Sequence, residues 1–251
     1  MPALYPMQDR IGRVGAYLLD DGDGLTLIDA LSKADGRTVL AELARIGRPV
    51  TDLRRILLTH AHVTHVKGAA ALQRASGATV AGPAEERDII EGRAASGGTT
   101  LVPQRPWHVL PQQYLLNLSP LLWRLRLRPG LLFPPPVTLD HVYEDGERIG
   151  PVHVIRTPGH SPGSTCFYWP EMEALFVGDA IVTWPRYELG WKGLTEDFPE
   201  NVRSVRRLLA ICRDRGWRIR RIAPGHGGVH EMADGNAELG ALVAASGVPE
   251  D

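Results

Sequence analysis

A chain of 251 residues with a hydrophobic fraction of 43% has room for one large domain or two small ones, and a β-rich sandwich of this size is ordinary as a single domain. The formal net charge of −1 removes any bulk electrostatic case for nucleic acid or an anionic membrane as the main partner. The only two cysteines, Cys166 and Cys212, lie in apolar sequence, which excludes a disulfide framework and a Cys-rich zinc module and reads as structural thiols. The first ten residues lack the basic start and long apolar core of a secretory signal. No apolar run reaches the length that spans a bilayer, so the chain reads as cytoplasmic without an integral membrane segment.

In chain order, residues 11–19, the Asp-Gly-Asp-Gly turn at 21–24 and residues 25–29 predict a β-hairpin closed by Asp29. A helix over 35–46 follows, with Val39, Leu40, Leu43 and Ile46 at helical spacing. A strand over 54–59 leads into a histidine cluster. A helix over 68–76, a strand over 78–81 and a helix over 83–91 come next, an alternation that argues for sheets covered by helices.

From about 92 to 136 the character changes and predicts an insertion. Residues 92–139 contain no acid but carry Arg93, Arg105, Arg124, Arg126 and Arg128, and repeated prolines break any long element. Its apolar middle around Tyr114 and Trp123 needs a partner: its own chain, the active-site mouth as a substrate lid with Trp107, another subunit, or a membrane surface. Short strands are expected at 137–143, 152–156, 165–169 and 174–177, then a helix over 200–215, a strand over 217–223 and a closing helix within 231–246.

The chemistry concentrates in Thr59-His60-Ala61-His62-Val63-Thr64-His65. Packing rarely gathers three histidines in six residues, whereas neutral imidazole is the commonest protein ligand for zinc. In extended backbone His60 and His62 share one face and can grip one ion, and a turn from Val63 swings His65 toward a second position. His160 lies in a Pro-Gly loop, Asp179 follows a strand, and His226 ends the last strand. His108, His141 and His153 match no ligand motif, and His230 reads as surface.

The cluster resembles the H-x-H-x-D-H signature of the metallo-β-lactamase superfamily. The motifs Thr157-Pro158-Gly159-His160-Ser161-Pro162-Gly163, Phe176-Val177-Gly178-Asp179-Ala180 and Ala223-Pro224-Gly225-His226-Gly227 follow in that family's order. The resemblance implies an α/β (α+β) fold, a four-layer αββα sandwich of two mixed β-sheets flanked by helices, formed by residues 1–251 as one domain. It assigns His60, His62 and His160 to a first metal ion, His65 and His226 to a second, and Asp179 to the bridge between them, where a carboxylate orients the nucleophile and takes up its proton.

Thr64 stands where the family has aspartate, so one tightly bound ion is expected and the second position is weakened. Zinc is the expected ion, with iron or manganese as alternatives. The implied activity is hydrolysis of a small ester, lactone or thioester through a metal-bound hydroxide, closest to the glyoxalase II and lactonase side. Quorum-type lactonases carry a tyrosine where this chain has Val182, with Tyr187 the nearest substitute. The alternatives are a catalytically quiet ligand-binding member of the fold and a β-lactamase-type hydrolase, though antibiotic-destroying members are typically exported. The implied partner is a small-molecule substrate, not nucleic acid, with a homodimer through 101–136 as a further expectation.

Overall fold

The computed structural model describes residues 1–10, 12–95, 118, 120–122, 124–126 and 133–249. Two six-stranded sheets dominate it. The first runs β1 (Ala3–Gln8), β2 (Gly15–Asp20), β3 (Leu25–Ile28), β4 (Leu53–Leu57), β5 (Thr79–Gly82) and β6 (His141–Val142), with β1 to β3 antiparallel and β3 to β6 parallel. The second comprises β7 (Arg148–Ile149), β8 (Val152–Arg156), β9 (Thr165–Trp169), β10 (Ala174–Gly178), β13 (Arg221–Pro224) and β14 (His230–Glu231) in that spatial order. There only β10 and β13 pair in parallel. A separate two-stranded ribbon joins β11 (Ile181–Val182) to β12 (Glu188–Leu189).

Strand alternation builds the layers. Successive side chains point to opposite faces, so Tyr17 and Leu19 of β2 enter the same apolar cluster as Phe167 and Trp169 of β9 and Phe176 of β10. Their neighbours Ala16 and Leu18 face the other way, onto Val39 and Leu43 of α1 (Arg37–Arg45) and Leu72 of α3 (Ala69–Ser76). On the second sheet, Cys166, Tyr168, Leu175 and Val177 turn outward onto Val202, Val205 and Leu208 of α5 (Phe198–Asp214) and Leu239 and Val243 of α6 (Gly235–Ala244). Helices, sheet, sheet and helices therefore stack in four layers. Phe167, Trp169 and Phe176 are wholly buried between the sheets, each such side chain contributing roughly 1.5–3 kcal/mol of transfer free energy.

The helix ends are specified locally. Asp197 accepts from Glu200 N at 2.9 Å and Asp234 accepts from Ala237 N at 3.1 Å, the usual role of an aspartate N-cap. Gly77 closes α3 at φ 72°, a left-handed position that glycine adopts without strain.

Several elements depart from the sequence expectation. The chain opens with β1, an edge strand containing Pro6, and proline marks a strand that lacks a neighbour on one side. The expected helix over 83–91 is a 3-10 turn, Ala84–Glu86, followed by the single-turn α4 (Arg87–Ile90). The strand expected at 137–143 shortens to β6, and β14 precedes the closing helix. A one-turn helix, α2 (Val63–Val66), carries Thr64 and His65. Most of the expected insertion, with Arg105, Trp107, His108, Tyr114, Trp123 and Arg128, lies outside the described residues, as does most of the expected dimer contact. Among the described residues, no helix is long and apolar enough to cross a membrane.

Candidate metal centre

The strands that stop at the same edge of the two sheets deliver the polar side chains. Asp29 follows β3, His60 and His62 follow β4, His65 sits on α2, His160 lies in the turn between β8 and β9, Asp179 follows β10, and His226 follows β13. Loops held by rigid strands are where ligand-binding groups can be placed accurately. All six histidine and aspartate side chains expected at the site are buried together, in two overlapping sets: His60, His62, His160 and Asp179; and His65, Asp179 and His226.

Asp179 is the shared member. Its Oδ2 lies 3.4 Å from His160 Nε2, 3.8 Å from His60 Nε2 and 3.3 Å from His226 Nε2, and its Oδ1 lies 3.4 Å from His65 Nε2. His62 Nδ1 faces His160 Nε2 at 3.0 Å. Two nitrogens on one tetrahedral ion, each about 2.0–2.1 Å from it, sit roughly 3.3 Å apart, so these separations fit a shared cation. His60 Nε2, His65 Nε2 and Asp179 Oδ1 are buried without a hydrogen-bond partner among the described residues. A Cβ at Gly225 would stand 2.1 Å from Asp179 Oδ1 and 2.7 Å from His65 Cε1, so glycine keeps this space open.

Electrostatics separates the two sets. Burial drives His60 and His62 well below the ordinary histidine range, assisted by the neighbouring imidazoles, and brings His160 down to about 4. All three are neutral at pH 7, the form that ligates metals. His65 behaves oppositely: burial alone would lower it, but Asp179 and Asp29 on its two sides override that and hold it up. Burial works against ionised Asp179 as well, yet His226 and His65 hold its carboxyl well below the usual range.

The outward nitrogens of His60, His65, His160 and His226 have partners, whereas His62 Nε2 is buried without a hydrogen bond among the described residues. Asp29 Oδ2 lies 2.9 Å from His65 Nδ1 and accepts from Thr59 Oγ1 at 2.8 Å, while Asp29 Oδ1 accepts from Thr59 N at 2.8 Å. Thr59 Oγ1 also sits 2.9 Å from His60 Nδ1. Asp29 does this at φ 59°, a left-handed conformation that costs a non-glycine residue on the order of 1–3 kcal/mol. His226 Nδ1 donates to Gly12 O at 2.6 Å, and His160 Nδ1 stands 3.5 Å from Thr195 Oγ1. Trp191 is tilted over the His226 ring with centroids 4.6 Å apart.

Sequence reasoning missed Thr59, Thr195, Trp191 and the Gly12 carbonyl. Only Thr59 carried a signal, its position beside His60. It also missed Glu86, a buried carboxylate that accepts from Gly163 N at 2.9 Å and from Ala61 N. Other singled-out residues stay apart from the centre. Tyr187 stacks on His230 with centroids 4.6 Å apart and packs with the outer core of the second sheet, so it does not replace the lactonase tyrosine. His230 lies 3.5 Å from Glu238, exposed His141 is 2.7 Å from Glu147, and His153 packs on Trp217. Cys166 and Cys212 are free and buried, as structural thiols.

Two face-to-face mixed sheets with buried imidazoles and a carboxylate at one shared edge define a scaffold with a candidate metal centre. The chain belongs to the metallo-beta-lactamase superfamily, which it matches over residues 10–226. It is 29% identical over 181 residues to the Bacillus subtilis (strain 168) protein YobT, covering 72% of this chain and 64% of that protein. It is 27% identical over 206 residues to the hydroxyacylglutathione hydrolase of Rhizobium meliloti (strain 1021), covering 77% of this chain and 59% of the enzyme. The match thus spans less than two thirds of either relative's length. Among solved structures, TTHA1623 in a di-iron-bound form superimposes with a TM-score of 0.63 at 27% identity, covering 90% of this chain and 94% of that one. The BLEG-1 B3 metallo-beta-lactamase gives 0.64 at 22% identity, covering 91% and 94%, a likeness of fold.

Proposed function

We propose that the chain hydrolyses a small ester, lactone or thioester with a metal ion held by His60, His62, His160 and Asp179, and that His65, His226 and Asp179 form a weaker second position. One observation carries this reading: Nε2 of His60 and His65 and Oδ1 of Asp179 are buried without a hydrogen bond among the described residues, in sets whose ligand atoms lie within 4.8 Å of one another. Unpaired polar atoms of this kind are costly unless something else satisfies them. A divalent ion so held supplies Lewis acidity and lowers the pKa of bound water to about 7.

The chain's own residues do the remaining work. Neutral His60, His62 and His160 would leave a bound ion its charge, and Asp29 and Thr59 fix the rings of His65 and His60 from behind. Asp179, ionised and common to both sets, would orient an attacking water, and a proton it took up would be held only transiently because His226 and His65 keep its carboxyl well below the usual range. Thr64, a neutral hydroxyl on α2, adds no carboxylate to the second set, so that set has three members and the first has four.

Zinc suits the three-imidazole set, and the di-iron form of TTHA1623 makes iron the second metal to test. Relatives named hydroxyacylglutathione hydrolase favour a thioester as the first substrate to try. We read residues 1–251 as one domain with an insertion at 92–136, acting in the cytoplasm.

Metal analysis of the purified chain, combined with turnover of chromogenic esters, lactones, thioesters and a β-lactam with and without chelator, tests the proposal. Chelator-sensitive turnover of a thioester, ester or lactone is expected. A metal-loaded chain that turns over none of them replaces the proposal with a ligand-binding role for the same pocket.

A further inference from the structure

We propose that Glu86 is a positioning residue that sets the gap between the two loops supplying the first ion's ligands. It ends the turn beyond β5, in the first sheet, and is 1% exposed. Its two oxygens divide their partners. Oε2 accepts from the backbone N of Ala61, between His60 and His62, while Oε1 accepts from Gly163 N at 2.9 Å in the loop that carries His160.

One side chain thus ties the histidine loop of the first sheet to the histidine loop of the second. The backbone bond from Thr165 N to Thr59 O, 3.0 Å, joins the same loops at their base. Glu86 joins them at their tips, where His62 Nδ1 and His160 Nε2 stand 3.0 Å apart. Gly163 permits the approach, because a Cβ there would meet Glu86 Cγ and Pro83 Cβ at 2.8 Å.

Two N–H donors on two separate oxygens require a carboxylate. A glutamine of the same shape offers one oxygen and turns an NH2 group toward the other amide. A loosened clamp leaves the three imidazoles present but badly spaced. Partners outside the ligand set, when removed, typically cost about 10–100-fold in metal affinity. The inference rests on the first-ion assignment above.

The test uses the full chain stripped of metal, Zn²⁺ competed against a chromophoric chelator, and the visible spectrum of the Co²⁺-loaded protein. Glu86→Gln is expected to weaken the tightest Zn²⁺ site by about 10–100-fold and to alter the Co²⁺ bands. Ile90→Val, a buried core change just beyond the same turn, is expected to leave both unchanged. Should Glu86→Gln fail to fold, Gly163→Ala, which crowds the clamp from the opposite loop, carries the same expectation. Wild-type affinity and spectrum in the variant that folds overturn the inference, as does an equal loss in Ile90→Val. A native chain that takes up no Zn²⁺ overturns the ion site itself, and this inference with it.

Discussion

The two halves of the metal centre share Asp179 but are built differently. Around His60, His62 and His160, burial and mutual repulsion keep every ring neutral, and three imidazoles plus a carboxylate converge. Around His65 and His226 there are two imidazoles and the same carboxylate, and His65 is clasped between Asp29 and Asp179, which favour a proton on it. An incoming ion meets three neutral rings at the first set, where it replaces the His62–His160 hydrogen bond, whereas at the second it competes with that proton and finds no acid at Thr64. The contrast is one of ligand number and charge within a single buried cavity, and it is what the proposed unequal holding of two ions rests on.

Removing the shared ligand breaks both halves. Asp179→Asn should abolish tight binding at either position and lower kcat/KM on the responsive substrate by more than the about 100-fold typical of losing an outer partner; metal analysis and steady-state kinetics check this. Removing unshared ligands separates the halves. His160→Ala should lose the tightly held ion, while His226→Ala should retain close to one ion per chain, as read by metal content after dialysis. Phe167→Ala tests the scaffold between the sheets. A cost of about 3–5 kcal/mol in denaturant unfolding is expected for a large side chain lost from a buried layer. Thr64→Asp should raise occupancy of the second position and leave the first unchanged, read by the same metal analysis. The smallest effect is expected from Asp197→Ala, which removes the cap of α5 and should cost about 1 kcal/mol in the same unfolding measurement.

Local signals made much of this architecture readable before any coordinates. The His60-x-His62-x-x-His65 cluster announces itself by spacing, and α1 and α5 by apolar periodicity. β9 and β10 stand out as short apolar runs. Two-residue strands such as β7 and β14 carry too little pattern to recognise, and Pro6 disguised β1. What sequence could not give is the support behind the ligands. Glu86 reaches Gly163 across 77 positions and Gly12 meets His226 across 214, contacts created by closing the two sheets on each other. The same closure hides the thiols. Burial pushes both Cys166 and Cys212 up to about 12, so a disulfide reagent at pH 8 should label neither in the native chain and both after unfolding.

Titration of the metal-free chain with Co²⁺, followed by its visible spectrum, addresses the unequal centre most directly. The account predicts one ion taken up stoichiometrically with a visible spectrum of its own, then a second that binds distinctly more weakly and adds a separate set of bands. Simultaneous, equally tight uptake of two ions, or no uptake at all, would contradict it.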